Sequence, residues 1–252
     1  MSSNIIALVI LAGSCGGLLL TMRLRHRLPP HHQEDATKDL IKIATGMMAT
    51  LVALILGLLV SSAKTTFDTA TAEVTQSGAQ IIALDRTLRN YGPEAQPLRE
   101  LLRSNLAGSI ARVWPGKVGH GGFANRDDSS VLDEFGEAIR KLSPRNQVQT
   151  HLQARAIDQA GELARARWLL FEQMQNPLPR VFLIVLGFWL IQIFVGLGLL
   201  APLNSTSVIA LVTCAVSMSA AIFVILEMNH PLDGIIQVSS APLEAALAVI
   251  SK

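Results

Sequence analysis

Charged and aromatic side chains are both scarce in this chain of 252 residues. Only 16% of the residues are charged and 5% are aromatic, whereas half are hydrophobic and the mean hydropathy is +0.40. Soluble domains average closer to a quarter charged residues, so this composition excludes an ordinary soluble protein. The 21 basic and 19 acidic residues nearly balance, and they give no reason to expect a nucleic-acid partner.

Sequence signatures of catalysis and of metal or cofactor binding are also missing. The chain has no P-loop, no dinucleotide-binding glycine pattern and no zinc signature, so we expect neither an enzyme nor a cofactor. One short cluster could in principle hold a divalent cation: His26, His31, His32, Glu34 and Asp35. Two prolines interrupt this cluster and no two histidines are four residues apart, so a basic loop at a lipid surface is the favoured interpretation. The only cysteines, Cys15 and Cys214, fall in apolar stretches and are expected to serve helix packing rather than a disulfide.

The few charges are concentrated in the middle of the sequence. Residues 63–180 carry 13 acidic and 15 basic side chains, which leaves 12 charges for the other 134 positions. Four apolar stretches in those positions are long enough to cross a bilayer as helices, and they cover residues 5–22, 41–62, 181–203 and 207–228. The last two should form a tight hairpin of helices. The sequence therefore predicts an all-α membrane protein, with two N-terminal and two C-terminal transmembrane helices and an extramembrane helical domain over residues 63–180.

Helical periodicity continues through this insert. A seam of apolar and small residues at alternating spacings of three and four is expected to extend the second span: Phe67, Ala70, Val74, Ser77, Ile81, Leu84 and Leu88. Gly92 and Pro93 should end that helix, with Gly92 as a left-handed cap, and a second helix should run to Trp114. Residues 115–125 contain four glycines and are predicted to be a loop.

Two further helices are expected between that loop and the third span. Ser130, three residues before Asp133, is a candidate cap for a short helix that carries Phe135 and Ile139. Ser143 and Pro144 have the composition of another helix start, which should lead into a long helix running toward the membrane.

Small and polar residues within the spans indicate how the spans pack. Gly13 and Gly17 have the spacing that lets two membrane helices approach closely, in the same chain or between chains. The fourth span is rich in Ala, Ser and Thr and is interpreted as an internal packing helix. Gln192 is the one long polar side chain deep in the third span, and the central parts of the spans carry no ionisable residue.

The segment after the fourth span, residues 229–252, is the most distinctive part of the sequence. Residues 229–234 should form a tight exit turn, residues 235–238 should be short and extended, and an amphipathic interfacial helix bearing Leu243, Leu247 and Ile250 should follow. We expect that helix to pack against the insert, with Asp233 capping the turn or pairing with Arg180. The candidate functional motif comprises Glu227, Asn229, His230, Pro231, Asp233, Gly234, Ser239, Ser240 and Pro242. A capped interfacial element and a gate or docking site are both open interpretations of this motif.

Basic residues near the span ends predict the orientation in the membrane. Five Lys and Arg residues lie between the first two spans or at the start of the second, and the positive-inside rule places that loop in the cytoplasm. The N-terminus, the helical insert and the C-terminus are then expected on the outer side.

The layout and the C-terminal motif together resemble the bacterial bestrophin-like membrane proteins. The matching positions are Asn229, Pro231, Gly234, Ser239, Ser240, Pro242 and Leu243. True bestrophins are pentameric anion channels with four spans per subunit and a cytoplasmic helical domain, so the resemblance implies an oligomeric channel-like assembly, here in a bacterial inner membrane whose outer side is the periplasm. The sequence departs from bestrophins in two ways. It lacks an aromatic-rich pore neck near the start of the second span, and its basic residues place the helical insert on the periplasmic side. The alternative hypothesis is a non-conducting membrane scaffold or envelope sensor, in which the loop of residues 115–125 helps the helical domain to bind a protein partner.

Overall fold

The chain folds into helices, as the sequence predicts. The computed structural model describes residues 3–24, 34–114, 127–174 and 180–252, and every regular element in these ranges is helical. The elements are α1 (Ser3–Leu24), α2 (Asp35–Tyr91), a single 3-10 turn (Pro93–Ala95), α3 (Gln96–Val113), α4 (Asp127–Arg140), α5 (Gln147–Met174), α6 (Arg180–Leu200), α7 (Ser205–Met228) and α8 (Ala241–Ile250).

The helices separate into two compact units. The first, here called the span unit, comprises Met1–Thr65 and Pro177–Asn229, and the second, the insert unit, comprises Thr66–Asn176 and His230–Lys252. Helix α2 is one unbroken helix of 57 residues that contributes to both units, as the predicted continuation of the second span requires. The C-terminal segment belongs to the insert unit.

The span unit contains four helices that are long and apolar enough to cross a membrane. They are α1, α2, residues 181–200 of α6, and α7. Helix α1 packs against both α6 and α7. Apolar side chains from all four helices share a buried cluster: Ile10, Val52, Leu59, Ala63, Leu186, Leu190, Ile222, Ile225 and Leu226.

Glycines bring α1 and α6 into close contact. A Cβ atom added to Gly13 would lie 2.7 Å from Ile191 Cδ1, and one added to Gly17 would lie 2.9 Å from Val195 Cγ2. On the facing helix, a Cβ atom on Gly198 would lie 2.8 Å from the backbone oxygen of Leu18, which cannot move aside as a side chain can. The predicted close approach is therefore confirmed, and its partner is a helix of the same chain.

Helix α7 is buried on one face only, which corrects its interpretation as an internal packing helix. Asn204 caps the helix by accepting a hydrogen bond from Ser207 N at 2.7 Å. Ser219 is buried and donates to the backbone oxygen of Ala7 at 2.7 Å. Thr213 and Ser217 are exposed, and their hydroxyls donate to carbonyls four residues earlier in α7. Small hydroxyl residues can satisfy themselves in this way, so a high content of Ser and Thr does not require burial.

In the insert unit, the predicted seam of α2 forms the core. Ala70, Val74, Ile81, Leu84 and Leu88 are all buried in one cluster that also contains side chains of α3, α4, α5 and α8. A buried ion pair joins α2 to α3. Arg99 donates from Nε to Asp85 Oδ1 at 2.7 Å and from Nη2 to Asp85 Oδ2 at 3.2 Å. These two hydrogen bonds offset the free-energy cost of burying the Asp85 carboxylate.

Three helix termini in the structure differ from those predicted. Gly92 has a positive φ of 128°, but its ψ of −173° places it in an extended region open essentially to glycine rather than in a left-handed helical cap. Ser130 lies inside α4, which begins at Asp127, so it cannot be the cap of that helix. Helix α5 begins at Gln147, not near Pro144.

The start of α5 shows why the predicted cap is wrong. Asn146 Oδ1 accepts a hydrogen bond from Gln149 N at 2.8 Å, and the side chain of Gln149 in turn accepts one from Arg145 N at 2.7 Å. Asn146 is therefore the cap residue of α5, and the exchange of bonds between Arg145, Asn146 and Gln149 resembles a capping box.

Tyr91, the only tyrosine of the chain, provides a direct pH test of the insert unit. Its side chain is 3% exposed, and its hydroxyl has no hydrogen-bond partner in the described part of the chain. Burial raises the pKa of Tyr91 above its ordinary value of 10.0, with a further contribution from Glu94 that Arg145 opposes. The unfolded chain therefore loses this proton first, and the stability contributed by neutral Tyr91 is complete below about pH 10 and is lost as the pH rises through the folded-state pKa.

We expect the phenolate absorbance of the folded protein to titrate with a midpoint above 10, and that of the denatured protein to titrate near 10. A Tyr91→Phe variant should lose the absorbance change together with the corresponding alkaline loss of stability. A folded-state midpoint at or below that of the denatured chain would contradict the burial of this hydroxyl.

Candidate functional site at the C-terminal segment

The candidate motif begins at the end of α7. Glu227 lies in the last turn of this helix and is 5% exposed. Asn229 is the residue that ends the helix, and its backbone N–H donates to Ile225 O at 3.2 Å. Both residues belong to the span unit.

A turn follows immediately, in the insert unit. The backbone oxygen of His230 accepts hydrogen bonds from Asp233 N at 3.3 Å and from Gly234 N at 3.1 Å, so the predicted turn is present. Pro231 and Leu232 are buried in it, whereas the side chains of His230 and Asp233 are exposed. A glycine is often placed in such a turn for a backbone conformation closed to other residues, but Gly234 does not need one, because among the described glycines Gly92 alone has a positive φ.

The residues after the turn bend instead of extending, which corrects the expectation for residues 235–238. Bends occupy residues 234–236, and Val238 N donates to Pro231 O at 2.8 Å. This bond closes a loop that buries Val238, and an extended stretch would carry Val238 away from Pro231.

Three contacts fasten the segment to helices of the insert unit. Trp114, which follows α3, donates from Nε1 to Val238 O at 2.7 Å, and Arg103 of α3 donates from Nη2 to Ile250 O at 2.6 Å. The backbone of Pro242 lies so close to α2 that a Cβ atom on Gly78 would be 2.9 Å from Pro242 O. The prediction that the C-terminal segment packs against the insert is confirmed. The cation of Arg103 also lies where the negative end of the α8 dipole favours it.

The serines of the motif organise the start of α8. The backbone oxygen of Ser240 accepts from Leu243 N at 2.9 Å and from Glu244 N at 3.0 Å, and the Ser240 hydroxyl donates to Glu244 Oε1 at 2.5 Å. Ser239 Oγ accepts from Ala241 N at 3.2 Å. Pro242 occupies the first turn of the helix, where its missing N–H has no cost. These bonds give Ser239, Ser240 and Pro242 a structural role in starting the helix.

The hydrogen bonds of the motif mainly hold the backbone of the C-terminal segment in place. In the described part of the chain, no group of three His, Cys, Asp or Glu side chains is arranged to hold a metal ion. The side chain of Arg180 lies outside the described residues, and its pairing with Asp233 stays a prediction. The histidines at 26, 31 and 32 and the loop of residues 115–125 also lie outside the described residues. A gate or docking role of the motif remains a hypothesis.

Three residues that hold the C-terminal segment were not singled out from the sequence as part of this site. They are Gly78, Arg103 and Trp114. A weak signal existed for Gly78, because a glycine inside a long helix lowers stability unless packing requires it. The partners of Arg103 and Trp114 are more than a hundred residues away and leave no local pattern.

The described fold defines a multi-pass helical membrane protein with an inserted helical unit, and comparison with known proteins assigns its family. The family model of the Bestrophin-like domain matches residues 12–243, and the chain belongs to that family. No curated protein matches the sequence.

Solved structures share the fold at low sequence identity. Crystal structures of a bacterial bestrophin homologue from Klebsiella pneumoniae, each with one substitution, superpose on most of the chain. One has a TM-score of 0.67 at 13% identity, with 99% of this chain and 97% of that chain covered. Two others have TM-scores of 0.66 and 0.64 at 13% and 14% identity, with 97% or more of both chains covered.

The contact between Gly78 and Pro242 yields a prediction for the fastening of α8. Gly78→Ala should displace α8, because the new methyl group meets a backbone atom. We expect a loss of about 1–3 kcal/mol in stability and faster hydrogen exchange of the amides of α8. Gly161→Ala in α5 is the matched control, since a Cβ atom there meets no atom within 4 Å. Equal exchange of α8 in the two variants would show that this contact does not hold the helix.

Proposed function

We propose that this protein forms a homo-oligomer in the membrane and that helix α2 of each copy lines a shared channel-like passage. The observation that carries this proposal is the exposure of the α2 span. Only 11% of its most apolar 18-residue window is buried in the chain, compared with 28%, 33% and 22% for the windows of α1, α6 and α7. The face left open on α2 is available to lipid, to water or to other copies.

The open face of α2 consists of two adjacent strips with different chemistry. One strip is small and polar, the other is large and apolar, and both repeat every three or four residues. The small strip comprises Gly46, Thr50, Ala53, Gly57 and Ser61, and the apolar strip comprises Met47, Leu51, Leu54 and Leu58. The apolar strip suits lipid or a neighbouring copy, whereas exposed small residues and hydroxyls suit the wall of an aqueous passage.

The character of this wall follows from its side chains. Between Lys42 and Lys64 the helix carries no ionisable residue. The Thr50 hydroxyl donates to Gly46 O at 3.1 Å, so this donor of the polar strip is satisfied in the isolated chain. The proposed passage is therefore lined by hydroxyls and small side chains, without the bulky aromatic neck of true bestrophins and without a ring of charge.

Gln192 independently supports contacts beyond the single chain. It lies within the span of α6, and its side chain is exposed. A primary amide facing hydrocarbon without a hydrogen-bond partner costs kilocalories, so a partner from another copy, or water held between copies, would stabilise it. Membership of the bestrophin-like family supports the same oligomeric channel interpretation.

Cysteine accessibility along α2 tests the proposal in a protein with Cys15 and Cys214 replaced by alanine. Purified protein in planar bilayers should conduct. A charged methanethiosulfonate reagent should block conduction through Thr50→Cys and Gly57→Cys, because these positions face water. Leu51→Cys and Leu54→Cys are the controls on the neighbouring strip and should be affected little. Absence of conduction, or equal sensitivity on both strips, would contradict the proposed passage.

We also propose the orientation that the basic residues favour, with the insert and the C-terminus in the periplasm. Alkaline phosphatase, active only in the periplasm, should be active when fused after Gly122 or after Lys252. A green fluorescent protein at the same two positions should be dark after export through the Sec pathway. The reverse pattern at both positions would place the insert in the cytoplasm and overturn this orientation.

A further inference from the structure

The outward face of α5 changes character near its C-terminal end. Exposed side chains follow one another at helical spacing along this face, and most are polar or charged: His151, Arg155, Asp158, Glu162 and Arg165. The next two exposed residues on the same face are Trp168 and Leu169. The opposite face contributes Ala156 and Ala160 to the core of the insert unit.

Trp168 and Leu169 are large apolar side chains left substantially open. Trp168 is 60% exposed and Leu169 is 46% exposed. Leaving them this exposed to water loses part of the roughly 1.5–3 kcal/mol that full burial of a large apolar side chain contributes. Arg165, one turn earlier, provides a positive charge beside them on the same exposed face.

We propose that the last turns of α5 lie in the headgroup region of the bilayer, with Trp168 and Leu169 at the boundary with the acyl chains and Arg165 bound to a phospholipid phosphate. Indole is enriched at this depth because its ring is apolar and its N–H can still reach polar groups. The guanidinium group matches the geometry and the charge of a phosphate. The inference holds whether or not α2 lines a passage.

The order of the chain supports lipid as the occupant of this patch. The spanning helix α6 begins at Arg180, eleven residues after Leu169. The polar-to-apolar change thus occurs on the part of α5 that immediately precedes a membrane span. The first turn of α5 offers a built-in comparison, because Val148 is 67% exposed and lies 21 residues earlier in the same helix.

Spin labels at these two positions test the proposal in full-length protein reconstituted in vesicles of phosphatidylcholine and phosphatidylglycerol. Leu169→Cys and Val148→Cys are each made in a background with Cys15 and Cys214 replaced by alanine. The label at 169 should collide preferentially with oxygen, which partitions into lipid, and its ratio of oxygen to nickel-chelate accessibility should exceed that at 148 several-fold. A ratio at 169 equal to that at 148 would place the patch in water and overturn the proposal.

A second copy covering the patch would also overturn it. In that case the label at 169 would be shielded from both reagents and would show dipolar broadening from a neighbouring label. This outcome would leave the proposed oligomer intact and refute only the lipid contact.

Native fluorescence provides a measurement that does not depend on labelling. Brominated lipids should quench the emission of Trp168, so Trp168→Phe should lose a lipid-quenchable fraction, whereas Trp114→Phe, which removes the ring bonded to Val238 O, should not. Arg165→Gln should reduce the quenching in phosphatidylglycerol vesicles toward its value in pure phosphatidylcholine. Unchanged quenching in Trp168→Phe would contradict the assignment.

Discussion

A helix in hydrocarbon satisfies its own backbone, but its polar side chains and its grooves still need neighbours. Helices α1 and α6 meet this constraint where they face each other, because Gly13, Gly17 and Gly198 allow close backbone approach, but Gln192 of α6 stays exposed. Ser219 of α7 meets it by donating to α1. The span of α2 does not meet it, since its small polar strip stays open. The proposed assembly of several copies rests on this open face of α2 and on the exposed Gln192 of α6.

The insert unit is held together by a different means. Its core is the apolar seam of α2, and its C-terminal segment is fastened by side chains that bind backbone carbonyls, namely Arg103 on Ile250 and Trp114 on Val238. A carbonyl oxygen is present at every residue, whichever side chain it carries. Anchors of this kind therefore fix where the backbone of the segment runs and do not specify its side chains. The motif that resembles the bestrophin-like family therefore coincides with a tightly specified piece of backbone.

Local periodicity accounts for what could be predicted from the sequence. The spans follow from apolar length, and the seam from Ala70 to Leu88 follows from the helical repeat. Caps were less predictable, because Ser143 and Asn146 are both good cap residues and only the reciprocal bond with Gln149 decides between them. The anchors of the C-terminal segment could not be found, since Arg103 and Ile250 are 147 residues apart. The chemistry of the α2 face was visible only once burial showed which residues remain open.

The mass of the protein in lipid tests the central claim most directly. Native mass spectrometry of protein extracted with its surrounding lipid into nanodiscs separates a monomer of 27.1 kDa from closed assemblies of several copies. The unpartnered face of α2 predicts a single homo-oligomer, and replacing Gly46, Ala53 and Gly57 together by leucine should alter or dissolve it. A monomeric mass for the unmodified protein in lipid would contradict the account.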